Sequence, residues 1–310
     1  MTHTVCILGI FVADLTFVAP GALPHPGETA LGREFRIGPG GKGSNQAVAA
    51  RRAGAEVTLI AKIGADTFGD MAHELYAAEG ISDRGLIDSQ THPTGAAGIF
   101  LSEETGENAI VVTPGAAGAI SVAEAEAAID LVAAADIFLT QFEVPLPVAQ
   151  VGLRLAKSRG VRTVLNPAPA ASVSPQIWSL ADIVTPNESE AGALSGHRVT
   201  GPAEAANAGR YFLDRGAGAV VITLGANGVF LMDTQRTLVV AAHRAGPLVE
   251  TTGAGDSFNG AMAAALAEGQ DLENAVRFGN AAAAISVTRP GTAPAMPTRR
   301  EIEKLLARKT

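Results

Sequence analysis

Apolar residues along this chain follow two alternating patterns. Short, almost continuous apolar runs of strand length occupy residues 5–10, 57–63, 137–140, 162–165, 183–185 and 220–223, and stretches with helical spacing, the first over about 44–52, separate them. Strands that are apolar on both faces need cover on both faces, so the alternation predicts a mostly parallel sheet with helices on either side. The rhythm breaks twice. Residues 15–37 and 94–112 carry short β-prone runs, Leu15-Thr16-Phe17-Val18 and Gly98-Ile99-Phe100-Leu101, punctuated by Pro and Gly with no helix between them. Pairing of these distant segments would build a small projecting sheet, suited to shield a reaction from water and, through an exposed face or edge, to contact a second copy. The expected fold class is α/β: one three-layer α/β/α domain over 1–310, with a mostly parallel central sheet and a small discontinuous β-sheet lid over about 15–37 and 94–112. Ser121-Val122-Ala123-Glu124 and Thr298-Arg299-Arg300-Glu301 read as capping boxes at helix starts.

Composition narrows the partners. Hydrophobic residues make up 47% of the 310, enough for a sizeable core. A formal net charge of -8 argues against nucleic-acid and anionic-membrane surfaces, which select clustered Lys and Arg. An anionic ligand must then be met locally, by backbone N–H groups or single cations. The one cysteine, Cys6, lies in the apolar run Val5-Cys6-Ile7-Leu8 and reads as a buried hydrophobe, and six scattered histidines offer no zinc spacing. The N-terminus shows no basic segment followed by a long apolar run, so a cytoplasmic protein is expected. The sequon Asn187-Glu188-Ser189 then has no glycan to carry.

Two glycine-rich segments carry chemistry. Glu250-Thr251-Thr252-Gly253-Ala254-Gly255-Asp256-Ser257-Phe258 leads into an alanine-rich run over 259–267. Small residues at a helix start leave N–H groups and the positive dipole end open to an anion. An acid beside such a hole is unfavourable for storing phosphate, but it is what takes a proton from a hydroxyl attacking phosphorus, so Asp256 points to phosphoryl transfer. An ordinary helix N-terminus with an acidic first turn has the same letters. No Gly-Lys-Ser/Thr follows, which excludes a P-loop here. The second segment, Gly38-Pro39-Gly40-Gly41-Lys42-Gly43-Ser44-Asn45-Gln46-Ala47, matches G-x-G-x-x-G at Gly38, Gly40 and Gly43. It follows the polar, alternating Arg33-Glu34-Phe35-Arg36-Ile37 instead of an apolar strand, which counts against a nicotinamide site. It reads better as a loop bringing backbone close to a small hydroxylated ligand, with Lys42 and Asn45 supplying hydrogen bonds; a flexible helix entry with a solvated lysine is the plain alternative.

Gly-Gly-Lys-Gly-Ser-Asn-Gln-Ala near the N-terminus and Thr-Thr-Gly-Ala-Gly-Asp-Ser-Phe-Asn-Gly near the C-terminus resemble the two signatures of the ribokinase (PfkB-type) family of carbohydrate kinases. Leu165-Asn166-Pro167-Ala168-Pro169, Thr185-Pro186-Asn187-Glu188-Ser189-Glu190 and Ile222-Thr223-Leu224-Gly225 fall between them, and the likeness covers essentially the whole chain. The resemblance implies that Asp256 is the catalytic base and that Gly253, Ala254 and Gly255 form an anion hole for the transferring phosphoryl group. It implies that Asp14, Gly40, Gly41, Lys42, Asn45 and Glu143, with Asp256, hold sugar hydroxyls. It further implies ATP contacts at Asn187, Thr223, Gly225, Gly228, Gly255 and Asn280, and a largely water-mediated Mg²⁺ at Asn187 and Glu190, read as one helix face. A monovalent cation, K⁺, would sit beside the anion hole at Glu250, Thr252, Ala284 and Gly291.

Two departures stand out. Val12-Ala13-Asp14 replaces the family's Asn-x-Asp, removing one polar sugar contact. A hydroxyl left unpaired loses about 1 to 3 kcal/mol, enough to alter preference. Glu250 stands where potassium-activated members place aspartate. The expected activity is ATP-dependent phosphorylation of D-ribose to D-ribose 5-phosphate by a homodimer joined through the lid. Fructose, 2-deoxyribose or adenosine as acceptor is the alternative within the class, and a catalytically silent sugar- or nucleotide-binding regulator is the alternative outside it.

Overall fold

The structure, a computed structural model, describes residues 2–22, 24–25, 27–105 and 108–308. Leu23, Pro26, Gly106 and Glu107, inside the two segments expected to form the lid, lie outside the described residues. The strands are β1 (Thr4–Leu8), β2 (Val12–Ala19), β3 (Glu34–Gly40), β4 (Glu56–Gly64), β5 (Leu86–Ser89), β6 (Thr94–Ser102), β7 (Asn108–Gly115), β8 (Ile137–Gln141), β9 (Arg162–Asn166), β10 (Ile183–Val184), β11 (Ala219–Thr223), β12 (Val229–Asp233) and β13 (Thr237–Val240). The helices are α1 (Lys42–Arg52), α2 (Thr67–Glu79), α3 (Val122–Ala127), α4 (Ile129–Ala133), α5 (Leu146–Ser158), α6 (Glu188–Ser195), α7 (Pro202–Leu213), α8 (Ala254–Ala267), α9 (Leu272–Ser286) and α10 (Arg299–Leu306).

The large sheet has the order β13-β12-β11-β10-β9-β8-β1-β4-β5. From β11 to β5 every pairing is parallel, while β12 and β13 close one edge as an antiparallel meander. That meander follows from local turn chemistry the apolar pattern does not show: Asp233 Oδ1 accepts from the N–H groups of Gln235 (2.8 Å) and Arg236 (2.9 Å), folding the chain back. Along β1, Val5 and Ile7 enter one core layer and Cys6 and Leu8 the other, as continuous apolar runs require. Burial pushes the Cys6 thiol up to about 12, so it is an inert packing group. Both sequence-predicted capping boxes form, at Ser121/Glu124 and Thr298/Glu301. Among the described residues no helix is long and apolar enough to cross a membrane.

The two irregular segments do pair. They form a four-stranded sheet of order β3-β2-β6-β7, joined at its centre by the parallel pair β2/β6, in register from Val12↔Gly95 to Ala19↔Ser102. The strands run a few residues beyond the expected limits, and β3 ends just before α1 begins.

Close backbone approach sets the geometry of the main body. A Cβ on Gly43 would lie 2.5 Å from Gly9 Cα, so the start of α1 rests directly on the loop after β1. A Cβ on Gly260 would lie 2.6 Å from Ala49 Cβ and 2.9 Å from the Ala50 nitrogen, so α8 lies against the backbone of α1. Gly260→Ala should therefore lower the unfolding free energy by about 1 to 3 kcal/mol through overpacking. Gly38→Ala, where an added Cβ meets nothing within 4 Å, should shift it by no more than about 0.5 kcal/mol. Urea titration of both variants checks this; equal effects would disprove the close-packing account.

Candidate active site

Functional side chains gather at the carboxyl ends of the parallel strands, where the strand ends open outward and helices begin. Gln141 ends β8, Asn166 ends β9, Thr185 follows β10 and Thr223 ends β11. Into this rim point the N-termini of α1 and α8, brought together by the Gly260 contact.

Asp256 lies in the first turn of α8 and is buried. Asn45 Nδ2 donates to its Oδ2 (3.1 Å) and Gln46 Nε2 to its Oδ1 (3.0 Å). Burial raises its pKa from the ordinary carboxylate value, against the Lys42 charge and the two amide donors, which pull it down. The α8 N-cap, Gly253, has φ +77°, a left-handed conformation that glycine adopts without strain, and no side chain caps this end. Ala254 donates to the Thr251 carbonyl (3.2 Å) and Ser257 to that of Gly253 (2.8 Å), while among the described residues no hydrogen bond engages the N–H groups of Gly253, Gly255 and Asp256. Within the Gly253-Ala254-Gly255 set inferred from sequence, the Ala254 N–H is used within the turn, while those of Gly253 and Gly255 are not. A Cβ on Gly255 would meet nothing within 4 Å, leaving room for an anion against the backbone.

A polar cluster stands opposite. The Asp14 carboxylate, on β2, lies directly against Gly40, so that any side chain there would displace it. Gly41 has φ +90°, and a Cβ there would lie 2.6 Å from the Ile10 carbonyl oxygen. The Lys42 backbone N–H donates to Glu143 Oε2 (2.7 Å). Burial, then Asp256 and Glu250, push Asp14 up to about 6. Burial also pushes Glu143 up to about 7, with Asp256 and Asp14 adding to it against Lys42. For Lys42, burial works to lower the pKa, but Asp256, Glu143 and Glu190 outweigh it and the net shift is upward, so the ammonium stays charged. Asn45 Oδ1 is buried without a partner, an acceptor placed for a hydroxyl. Val12 is packed with Ile10, Ala97 and Val144, so the position lacking the family's asparagine is filled by apolar contact.

Asn187 and Glu190 do not present themselves as two members of one helix face. Asn187 is the N-cap of α6 in extended conformation: its Oδ1 accepts from the Glu190 N–H (2.8 Å), and Glu190 Oε2 accepts from the Asn187 N–H (2.9 Å). This reciprocal cap fixes both side chains, and among the described residues no hydrogen bond engages the other carboxylate oxygen of Glu190. Asn187 bridges to Thr223 across β10 and β11. Gly225 and Gly228, at φ +51° and +90°, shape the turn from β11 to β12. Asn280 commits its Nδ2 to the Ala241 carbonyl (2.7 Å), so its donor positions the loop after β13. Glu250 Oε2 accepts from the Gly291 N–H (2.9 Å), tying the loop before α8 to the loop after α9. Beside it the Thr288 N–H goes to Ile285, so the helical bond to the Ala284 carbonyl is not made. Thr252 belongs to the same loop and is exposed.

Sequence reasoning gave no role to Gln46, Gln141 or Asn166. Gln46 Nε2 donates also to Asn166 Oδ1 (3.1 Å), Gln141 Nε2 donates to Gln46 Oε1 (2.5 Å), and Asn166 Nδ2 donates to the Thr185 carbonyl (2.8 Å). The available signal was a polar amide ending an otherwise apolar strand, twice over.

A buried carboxylate beside open helix N–H groups, facing a cluster of carboxylates, amides and one lysine, is the equipment of an enzyme that passes a phosphoryl group to a hydroxyl. The comparisons with known proteins agree. The chain belongs to the pfkB family of carbohydrate kinases, whose family model matches residues 2–299. It is 41% identical over 309 residues to a ribokinase of Haemophilus influenzae, covering 99% of each chain. It is 38% identical to a ribokinase of Bacillus subtilis, covering 98% of this chain and 100% of that one. The solved Arabidopsis thaliana ribokinase, complexed with ribose and ATP, superposes with a TM-score of 0.94 at 28% identity over 100% of both chains.

The raised Glu143 pKa has a sign that can be tested. A carboxyl held near 7 in the fold and near 4.5 when unfolded contributes stability in full below the lower value and loses it as pH rises through about 7. Glu143→Gln, which keeps an acceptor for the Lys42 N–H, should raise the thermal midpoint of the ligand-free protein at pH 8 relative to wild type, with the gain shrinking toward pH 5. A gain independent of pH would contradict the burial account.

Proposed function

We propose that this protein transfers the γ-phosphate of ATP to the primary hydroxyl of D-ribose, giving D-ribose 5-phosphate and ADP. The observation that carries the reading is the Asp256 carboxylate, buried, held by Asn45 and Gln46, and placed one residue from the open Gly255 N–H. Asp256 accepts the hydroxyl proton as the oxygen attacks, and the N–H groups of Gly253, Gly255 and Asp256 meet charge building on the transferring phosphoryl oxygens. Asp14, Lys42, Asn45 and Glu143, with the close backbone of Gly40 and Gly41, hold the sugar hydroxyls. ATP lies along Asn187, Thr223, Gly225, Gly228 and Asn280. The ribokinase name of the relatives and the ribose in the Arabidopsis structure support ribose as acceptor, with Val12 tolerated by apolar packing.

Mg²⁺ fits the donor set. It keeps several waters and binds through one or two carboxylates plus substrate phosphates, which suits the other carboxylate oxygen of Glu190 and the absence, among the described residues, of a cage of three acidic or histidine side chains. When bound it neutralises phosphate charge. K⁺ takes the region of Glu250, Thr252, Ala284 and Gly291, with the longer glutamate already anchored to Gly291. Use of ATP as phosphoryl donor supports a cytoplasmic location.

The small sheet covers the sugar with the face that carries Asp14, Ile99, Ile110 and Val112. Its other face, with Phe17, Phe35, Ile37, Phe100 and Val111 all at least 40% exposed, joins two copies. Phe17 lies 4.8 Å from Phe35 and 5.5 Å from Phe100 between ring centroids, forming an aromatic patch of the kind that favours association.

ADP release from Mg-ATP, measured across ribose, 2-deoxyribose, fructose and adenosine with and without K⁺, tests the activity. Ribose should give the highest kcat/KM, and Asp256→Asn should lose at least about 10³-fold in kcat while binding ATP as before. Wild-type turnover in Asp256→Asn removes it as the base; a better acceptor than ribose relocates the specificity. Sedimentation velocity should show a dimer that Phe17→Glu converts to monomer, and an unchanged dimer would place the contact elsewhere.

A further inference from the structure

We infer that Gln46 is a positioning residue that holds Asp256 in its reactive orientation. The inference rests on Asp256 being the base. The Gln46 side chain is fully buried on α1, and its carboxamide has two N–H donors and one carbonyl acceptor. All three are used: the donors go to Asp256 Oδ1 at 3.0 Å and Asn166 Oδ1 at 3.1 Å, and the acceptor takes Gln141 Nε2 at 2.5 Å. A flipped carboxamide would aim its oxygen at two oxygens and its nitrogen at a nitrogen, so one orientation is enforced.

The network closes on the same helix turn that carries the base. Asn166 donates to the Thr185 carbonyl (2.8 Å), the Thr185 hydroxyl donates to Asn259 Oδ1 (2.6 Å), and Asn259 Nδ2 donates to the carbonyl of Gly255 (2.9 Å). Asp256 and the backbone of Gly255 are therefore set by one connected array that spans α1, the ends of β8, β9 and β10, and α8. Because Gln46 takes Oδ1 from the core side, Oδ2, beside Asn45, is the oxygen left toward the sugar. The charged groups acting on this carboxylate are Lys42 from α1, Asp14 from β2, Glu143 after β8 and Glu190 from α6. Lys42 is the only cation among them, so a neutral donor at position 46 is what keeps a second anion from the base.

Gln46→Glu, of equal size, replaces the donor nitrogen with oxygen facing Asp256. With ribose and Mg-ATP its kcat should fall about 10- to 100-fold near neutral pH, with both KM values and the calorimetric affinity for ribose within about twofold of wild type. The acid limb of the kcat profile should move up by about one pH unit or more, since two facing carboxylates do not ionise together. In the Asp256→Asn background the same change should alter residual turnover by less than about twofold, because no base remains to be held. Gln141→Met, which frees the carbonyl of Gln46, should show a milder loss in kcat alone and serves if the glutamate variant does not fold. An inactive Asp256→Asn beside a folded Gln46→Glu of wild-type kcat and pH profile overturns this inference and leaves the base in place, as does a rise in KM without a fall in kcat. Full turnover in Asp256→Asn instead sinks the base assignment and this inference with it.

Discussion

A carboxylate has to be kept chargeable where water does not reach. Asp256 is buried at the start of α8, and burial alone drives a carboxylic acid toward its neutral form. The surrounding architecture supplies what water would have: two amide donors from α1, the Lys42 charge, and the helix dipole of α8. The amides and the lysine arrive only because α1 and α8 touch backbone to backbone, with Gly260 at their crossing and Gly43 resting on the loop after β1. The parallel sheet then contributes its strand ends, where Gln141, Asn166 and Thr185 complete the polar array.

The sugar side carries the opposite imbalance. Asp14, Glu143 and Asp256 share one small region with Lys42, and their mutual repulsion, added to burial, lifts Asp14 and Glu143 far above ordinary carboxylates. Such a cluster is poorly satisfied while empty and well matched to a ligand rich in hydroxyl donors. The ligand-free fold gives up stability here, in the way binding sites commonly do.

The large sheet was legible because strands buried on both faces read as plain apolar runs, and β1, β4, β8, β9 and β11 appear within a residue or two of where those runs fall. The small sheet was legible through the absence of helices between Leu15 and Ile37. The β12–β13 edge was not, since its turn depends on one aspartate oxygen and on no long periodicity. Asp256 and Lys42 announced themselves through the glycines around them. Gln46 did not, because its role comes from partners 95 to 210 positions away. The Asn187/Glu190 pair shows a subtler limit: three-residue spacing fits both a shared helix face and a reciprocal cap, and only the extended backbone at Asn187 separates them.

The chain passes between the two sheets twice beside the site, through the short link from β1 to β2 and through Gly41 between β3 and α1. Asp14 and Gly40 thus belong to one body, and Asp256 and Asn45 to the other. A sugar gripped by both sets is a removable crosslink between them. How stiffly the two sheets are held together is then a property of the complex and not of the polypeptide alone.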